Sequence, residues 1–405
     1  MKLVFRQLMF VFCLGFVSCG EILSLIPEIP GISSSSSSPN SQLFIFATNY
    51  TSSGQLYHAT VNNNKTTLTN SGVTLLGSSA IIRQNNDLIY VLHDASSSVS
   101  SDNVQIIDPA QNYKTLAQYS VGNGTNPKDI VFFEDRAFIS LYFPDNQPTN
   151  IDSNGNPADL VEINLSTGNI VNRWSFFDFL NDDGDKNANA DQMVIVGNIL
   201  YVCLQDFQSD FTANAPGLIG RIDLTTNEML GMIELQGRNP FHLAVSPDEK
   251  KLFVADLVLF DLTEQDFDLS PPYGGLEIVD LETQTTIAFF HDNDLGGFID
   301  RVRTSEDFVY FTISTFDSEN FDFFSKILRL ALDAEDLSGL EIVDEKNTDI
   351  RDMVIDEKYL WISRRKINTA TGLSDPQIEV LDLETFEFLG DILEPLVPGM
   401  SFAKI

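Results

Sequence analysis

Two acidic, asparagine-rich segments of this chain carry oxygen ligands at spacings that suit a calcium ion. Around Gly184 the predicted ligands are Asp182, Asp183, Asp185, Asn187 and Asp191. Around Gly155 they are Asp152, Asn154, Asn156 and Asp159. Calcium takes about six to eight oxygen ligands, and a glycine turn lets a loop wrap around the ion. Neither segment has the closing Glu or the flanking helices of an EF-hand, and solvated Asx turns use the same residues, so both interpretations stay open.

A second set of polar residues recurs at one level of a repeated pattern. When the repeats are aligned by their proline or apolar frame, the equivalent positions are Asp129, Gln192, His242, Asp300 and Asp352, with Arg301 next to Asp300. Polar groups repeated at one level predict a ligand- or ion-binding ring at the mouth of a central channel. The alternative is a hydrated channel that tolerates any polar side chain.

Signatures of common catalytic centres are missing from the sequence. The four histidines have no metal-ligand spacing, and there is no nucleophile elbow, phosphate-binding loop or dinucleotide glycine pattern. Two carboxylates that meet on one face could hydrolyse a glycoside or a lactone. With 58 acidic residues, however, such a meeting is common by chance. We therefore assign no catalytic residue.

The elements that must position these residues are short strands in a repeated unit. The stretch "GRNPFHLAVSPDEKKLFVAD" (237–256) has two apolar runs around a tight turn, and "YGGLEIVDLETQTTIAFFHD" adds two more. This pattern of four strands, a to d, recurs about six times between residue 79 and about residue 394. Sheets of this size cannot bury both faces alone, so their repetition predicts a β-propeller.

The two ends of the chain predict a seventh unit. Residues 42–73 have the pattern of strands b, c and d, whereas residues 398–405 have that of an unpaired strand a. Pairing them would close a ring and remove its open edges. The predicted fold is an all-β, seven-bladed β-propeller over residues 42–405, with the C-terminal strand beside the N-terminal blade.

The unit at 237–256 closely resembles the YVTN family of β-propeller repeats, whose pattern is G-x-x-P-x-x-[IV]-A-[VI]-S-P-D-G-K-x-[LV]-[YF]-V-x-[ND]. The other units keep the hydrophobic frame, and "VDLET", "IDLTT", "INLSTG" and "LDLET" keep the turn between strands c and d. The resemblance implies a seven-bladed propeller, often exported, with binding or scaffold roles, but it implies no activity. Some members bind DNA, which the net charge of -34 argues against here.

The N-terminal residues predict export and a lipid anchor. Residues 1–18 carry two cations and an apolar run that is too short to span a bilayer, which is typical of a signal peptide. Cys19 follows as in a bacterial lipobox, although Phe16 replaces the usual Leu, and a plain secretory signal is the alternative. Gly20 is not the Asp of an inner-membrane retention signal, so we expect an outer-membrane anchor. Residues 19–41 include a Ser-rich tether.

Composition and loop placement predict a binding protein. Hydrophobic residues make up 43% of the chain and support a core, whereas the charge disfavours nucleic acids and anionic headgroups. The long loops are expected on one face, and they mix carboxylates with aromatics. The leading hypothesis is a non-enzymatic envelope lipoprotein, held at the membrane by its lipid, that binds a protein or glycan partner. The alternatives are a periplasmic or surface hydrolase or lactonase-type enzyme at the channel mouth, and a scaffold subunit of an envelope complex.

Overall fold

Short strands rich in β-branched and aromatic residues dominate the computed structural model. It describes residues 41–48, 54–75, 79–94, 102–180, 187–206, 216–257, 260–261, 266–267, 274–317, 322–368, 373–390, 393–394 and 402–404. The predicted signal segment and Cys19 lie outside the described residues, as do Asp182, Asp183 and Asp185. The predicted all-β architecture is confirmed for the described residues, since their only α-helix is the single turn α1 (Asp292–Leu295).

The strands are short and are numbered in chain order. The first eleven are β1 (Ser41–Thr48), β2 (Gln55–Asn62), β3 (Lys65–Thr74), β4 (Ala80–Asn85), β5 (Leu88–His93), β6 (Asn103–Asp108), β7 (Lys114–Ser120), β8 (Pro127–Phe133), β9 (Arg136–Leu141), β10 (Leu160–Asn164) and β11 (Ile170–Trp174). Then come β12 (Ala190–Val196), β13 (Ile199–Leu204), β14 (Leu218–Asp223), β15 (Glu228–Glu234), β16 (Pro240–Val245), β17 (Lys251–Asp256), β18 (Phe260–Asp261), β19 (Asp266–Phe267), β20 (Gly275–Asp280) and β21 (Thr285–His291). The last are β22 (Phe298–Thr304), β23 (Phe308–Asp317), β24 (Asp322–Ala331), β25 (Glu341–Asp356), β26 (Tyr359–Asn368), β27 (Leu373–Asp382), β28 (Glu387–Phe388) and β29 (Phe402–Lys404).

Antiparallel sheets of four strands are the main building block. They are sheet 1 (β29-β1-β2-β3), sheet 2 (β4 to β7), sheet 3 (β8 to β11), sheet 4 (β12 to β15) and sheet 5 (β16-β17-β20-β21). A further sheet of seven strands runs from β22 to β28; we name β22 to β25 sheet 6, and β25 to β28 sheet 7, because the long strand β25 belongs to both. In sheet 1, Ala47 of β1 pairs with Ala403 of β29. A closed ring of seven blades stays a prediction.

The chain divides into two units. Unit 1 comprises residues 1–128 and 351–405, and unit 2 comprises residues 129–350. All the strands of sheets 1 and 2 lie in unit 1, and all those of sheets 4 and 5 lie in unit 2. The boundaries between the units fall inside β8 and β25. No helix among the described residues has the length and apolar character needed to cross a membrane.

Within each unit, the core consists of apolar layers between neighbouring sheets. Along β17, Leu252 and Val254 pack into a cluster with sheet 4, whereas Phe253 and Ala255 pack into a cluster with sheet 6. Successive side chains of a strand point to opposite faces. Both faces of β17 are therefore buried, which explains why its sequence is continuously apolar rather than alternating.

The outer strands of sheets 2 to 5 each carry a bulge at the same position. The residue that the register skips in each strand is exposed and apolar: Leu116, Val171, Leu230 and Ile287. A bulge twists an edge strand and interrupts its row of unpaired backbone groups. These bulges therefore hinder edge-to-edge pairing with other strands.

Candidate functional site

The first strands of the sheets in unit 2 are joined by side chains that the sequence placed at a channel mouth. Asp129 on β8 accepts a hydrogen bond at Oδ2 from the amide of Met193 on β12, over 3.0 Å. Gln192 on β12 links to β16, because its Oε1 accepts from the Leu243 amide and its Nε2 donates to the Leu243 carbonyl at 3.2 Å. Both side chains are buried. They therefore tie neighbouring strands together through backbone groups.

His242 on β16 continues this series towards β22. Its Nδ1 faces the amide of Val302 at 3.4 Å, and its Nε2 lies 2.6 Å from Nη1 of Arg303. A neutral imidazole accepts at only one nitrogen, so either Nε2 accepts from Arg303, which only donates, or Nδ1 accepts from the Val302 amide. The amide that faces His242 is therefore that of the residue after Arg301. The strand registers make Arg301, rather than Asp300, equivalent to His242, because Arg301 pairs with Thr312 as His242 pairs with Ala255, and both first strands have a register shift just before this pair.

The remaining predicted channel residues are also engaged in local contacts. The carboxylate of Asp300 accepts from the hydroxyl of Thr312, and its carbonyl accepts from Nη1 of Arg301 at 2.7 Å. In unit 1, Asp352 accepts from the following amide, that of Met353, at 2.9 Å. Within unit 2, Asp129 and Gln192 share one structural role, and His242 lies at the equivalent position of β16.

The second predicted calcium segment forms a hairpin over residues 150–158, in the connection between β9 and β10. The amide of Asp152 donates to the carbonyl of Asn156 at 2.9 Å. In return, Oδ1 of Asp152 accepts from the amides of Asn154 at 2.8 Å and of Asn156 at 2.9 Å. This is an Asx turn, in which a side chain satisfies its own loop. The three residues share one turn, and a calcium ion at this segment stays a prediction.

Asp159 lies apart from this turn and is fully buried. Its Oδ2 accepts from the amide of Phe176 at 2.7 Å, and its Oδ1 accepts from that of Ala188 at 3.2 Å. Burial raises the pKa of Asp159 to about 7, although both amide donors act in the opposite direction. The carboxyl group holds the connection between β11 and β12 against sheet 3.

Asn187 and Asp191, from the first predicted calcium segment, lie in a buried polar network. Oδ2 of Asp191 accepts from Nε2 of Gln205 at 2.8 Å, and Oε1 of Gln205 accepts from the hydroxyl of Tyr142 at 2.8 Å. Asn189 donates to the Tyr142 carbonyl at 3.1 Å, and Asn187 accepts from the amide of residue 145. Burial, followed by the Asp191 charge, raises the pKa of Tyr142.

Sequence reasoning missed Tyr142 and Gln205. A signal was present, because both residues directly follow the second strand of their sheets, β9 and β13. Aligning the strand ends, rather than only the strand beginnings, would have placed the two side chains at one level.

The metal prediction rests on residues of which only some are described. In the described part of the chain, no group of three or more His, Cys, Asp or Glu side chains is arranged to hold a metal ion. Asp182, Asp183 and Asp185 lie outside that part. Calcium at the first segment therefore stays a prediction.

The hairpin at residues 150–158 presents an apolar side chain to solvent. Ile151, which bridges to Pro157, is 46% exposed. The base is anchored, since Nδ2 of Asn150 donates to the Ala158 carbonyl at 2.9 Å and Nε of Arg173 donates to Oδ1 of Asn150 at 3.2 Å. This end of sheet 3 thus offers a preformed apolar contact point within an acidic connection.

Comparisons with known proteins identify the fold. No family model and no curated protein matches the chain. A solved candidate 6-phosphogluconolactonase from Bacteroides fragilis is similar to it, with 13% identity, a TM-score of 0.58, and coverage of 90% of this chain and 98% of that protein. The fold is propeller-like. At this identity the likeness extends to the fold alone.

Two further solved structures are similar over most of their length. BamB from Moraxella catarrhalis has 13% identity, a TM-score of 0.43, and coverage of 79% of this chain and 78% of that protein. Hydrazine synthase from Kuenenia stuttgartiensis has 14% identity, a TM-score of 0.48, and coverage of 74% of each chain. The resemblance to YVTN repeats stays a prediction.

Proposed function

We propose that this chain is a lipid-anchored, seven-bladed propeller that binds a protein partner through the end of its sheets that carries the long connections. The observation that supports this proposal is the hairpin at residues 150–158, which exposes Ile151 on a hydrogen-bonded base. In this proposal, Cys19 carries the lipid at the outer membrane, and the pairing of β29 with β1 closes the ring.

A preformed hairpin favours binding because little conformational entropy is lost when a partner docks. An aliphatic side chain such as Ile151 suits an apolar pocket on a protein, whereas glycans are held mainly by aromatic faces and polar groups. Asp145 and Asp152 lie in the same connection and would favour a basic rim on the partner. We therefore favour a protein over a glycan.

The polar side chains on the first strands of the sheets in unit 2 make the hydrolase alternative less favoured. Asp129 and Gln192 hold backbone groups of the neighbouring strands, and His242 faces an amide and a guanidinium. Catalysis at this level would require these side chains to release the contacts that join the strands.

The test compares two exposed apolar residues of sheet 3. The full-length lipoprotein is isolated from native membranes, its partner is identified, and the affinity is measured for wild type, Ile151→Ser and Val171→Ser. We expect Ile151→Ser to weaken binding about fivefold or more. Val171, 56% exposed at the bulge of β11, should have no effect. Equal losses for both variants, or binding of a glycan that Ile151→Ser leaves unchanged, would contradict the proposal.

Calcium binding at residues 182–191 belongs to the same proposal and has a separate test. Calorimetry on the full chain should show binding that is lost in the double variant Asp182→Asn, Asp185→Asn. Replacing the exposed Glu228 by Gln is the matched control. A lack of binding in wild type at about 1 mM calcium would remove the metal from the proposal.

A further inference from the structure

Two acidic side chains meet inside sheet 5, at the end that carries the long connections. Asp256 ends β17, and Glu277 lies on the neighbouring strand β20; both are fully buried. Glu277 accepts from the amides of Gln236 and Gly237, each at 2.8 Å, and from the hydroxyl of Thr286. Glu277 therefore fastens the connection between β15 and β16 to sheet 5.

Asp256 has a different environment. Neither of its oxygens receives a hydrogen bond from an N–H group or a hydroxyl of a described residue, and its carboxyl group is within hydrogen-bonding reach of Glu277. Its carboxyl group also packs closely against Gly237, where an added Cβ would collide with Oδ2 of Asp256. Two ionised carboxylates do not share such a site, so one of them holds a proton. Glu277 has several donors and Asp256 has none, which places the proton on Asp256.

Asp292 of α1 adds a third acid to this region. Its Oδ1 accepts from the Ile299 amide at 3.1 Å, whereas its buried Oδ2 has no hydrogen-bond donor among the described residues. Burial, then Glu277 and then Asp292 raise the pKa of Asp256 well above that of an ordinary aspartate. No basic side chain in the described part of the chain forms an ion pair with Asp256. Arg238, next to Gly237, is the nearest cation along the connection.

The same position in other sheets has a different partner. In sheet 2, His93 ends β5 and contacts Gln105 of β6 at 3.0 Å, and Gln105 in turn donates to Thr115. In sheet 7, Arg364 donates to Glu379 at 2.5 Å. The registers make these pairs equivalent to Asp256 and Glu277, because the second residue lies two places after the partner of the first. Only sheet 5, among these three, pairs two acids.

We propose that Asp256 and Glu277 form a proton-operated latch, which holds the connection between β15 and β16 while the two carboxyl groups share one proton and loosens it when that proton is lost. The proton lets Asp256 donate to Glu277, so that Glu277 stays aligned with the amides of Gln236 and Gly237. Loss of the proton leaves two buried negative charges in contact, and separating them withdraws Glu277 from those amides.

The direction of the pH effect follows from linkage. The folded state binds the Asp256 proton more tightly than the unfolded state does. The stabilisation is therefore fully present below the pKa of an unfolded aspartate, and it is lost as the pH rises through the raised value. The latch is closed in acid and opens in alkali.

Amide hydrogen exchange on the full chain tests the latch. Exchange at Gln236 and Gly237, corrected for the intrinsic pH dependence, is measured by mass spectrometry from about pH 6 to about pH 10. We expect protection to fall about tenfold or more across this range in wild type. Asp256→Asn should keep the protection at every pH, because its amide still donates to Glu277 and does not titrate. Glu228→Gln, at an exposed acid, should behave as wild type.

A second measurement keeps the test decisive if Asp256→Asn folds poorly. Infrared spectroscopy of the double variant Asp159→Asn, Asp292→Asn, which lacks the two other buried acids whose pKa values are raised to about 7 and about 8, should still show the C=O stretch of a buried protonated carboxyl group near neutral pH, and this band should disappear in alkali together with the protection. Protection that does not change with pH in wild type, or that changes equally in Asp256→Asn, would overturn the proposal.

Discussion

Sheets 5 and 7 use one position of the repeat in opposite ways. Arg364 in sheet 7 brings a cation to a buried glutamate, so that the charges of the pair cancel. Asp256 in sheet 5 brings a second acid, which needs a proton to fill the same role. The strands around both pairs have the same register. The comparison teaches that the side chain at this place decides whether a buried glutamate is balanced by a fixed charge or by a proton, which depends on pH.

The largest expected effect comes from breaking the ion pair of sheet 7. Arg364→Met should lower the free energy of unfolding by about 3 to 5 kcal/mol, because Glu379 would be left buried without its partner. Urea denaturation followed by circular dichroism measures the loss. Lys326→Met, which removes the exposed ion pair with Glu345 in the neighbouring sheet 6, is the control and should cost far less. Equal losses would show that burial does not set the value of the pair.

A smaller loss of unfolding free energy is expected when a side chain is added next to Asp256 and Glu277 in sheet 5. An added methyl group in Gly237→Ala would collide with Asp256 and displace it from Glu277, at a cost of about 1 to 3 kcal/mol in unfolding free energy. Gly339→Ala, where the new Cβ meets open space, should be nearly neutral. Urea denaturation of the two variants measures the difference. A neutral Gly237→Ala would mean that Asp256 can move without weakening the pair.

Asp292 of α1, the third acid near Asp256, should make the free energy of unfolding depend on pH. Burial raises the pKa of Asp292 to about 8, so its stabilisation is fully present below the usual value of 3.8 and is lost as the pH rises towards about 8. Asp292→Asn should flatten this part of the curve of unfolding free energy against pH. Asp223→Asn gives a contrast of opposite sign, because backbone and side-chain hydrogen bonds lower the pKa of Asp223. An unchanged curve in Asp292→Asn would contradict the assignment.

The smallest expected effect is in sheet 2, and it has the opposite direction. Burial lowers the pKa of His93, so its stabilisation is present above the usual value of 6.5 and is lost as the pH falls. Hydrogen exchange in β5 and β6 should therefore accelerate in acid, after correction for intrinsic rates. His93→Gln should remove this response. Sheet 5 would loosen in alkali and sheet 2 in acid, and a shared direction would refute the comparison.

Much of the fold was predictable because each strand has a strong local signal. The stretch "NPKDIVFFEDRAFISL" forms β8 and β9, and residues 42–73 contain β2 and nearly all of β1 and β3. The Asx turn at Asp152, which the sequence left open as an alternative to a calcium site, forms from hydrogen bonds between neighbours in the chain. Local chemistry was sufficient in these cases.

The site was less predictable, because its contacts join residues that are distant in sequence. The alignment assigned Asp300 to the level of His242, but the strand registers place Arg301 there, because Arg301 pairs with Thr312 as His242 pairs with Ala255. The sequence shows Asp256 and Glu277 as two acids among 58, and nothing in their spacing indicates that they touch. Their contact depends on the register of β17 with β20.

The sequence by itself determined the strands, the turns, the repeat and the acidic character of the chain, because these depend on residue types and on short spacings. Only the tertiary structure decided which polar groups meet: Asp129 with the amide of Met193, and Asp256 with Glu277. The physical reason is that burial and contact set the energy of a charged group. Both are properties of the packed sheets rather than of any one stretch of chain.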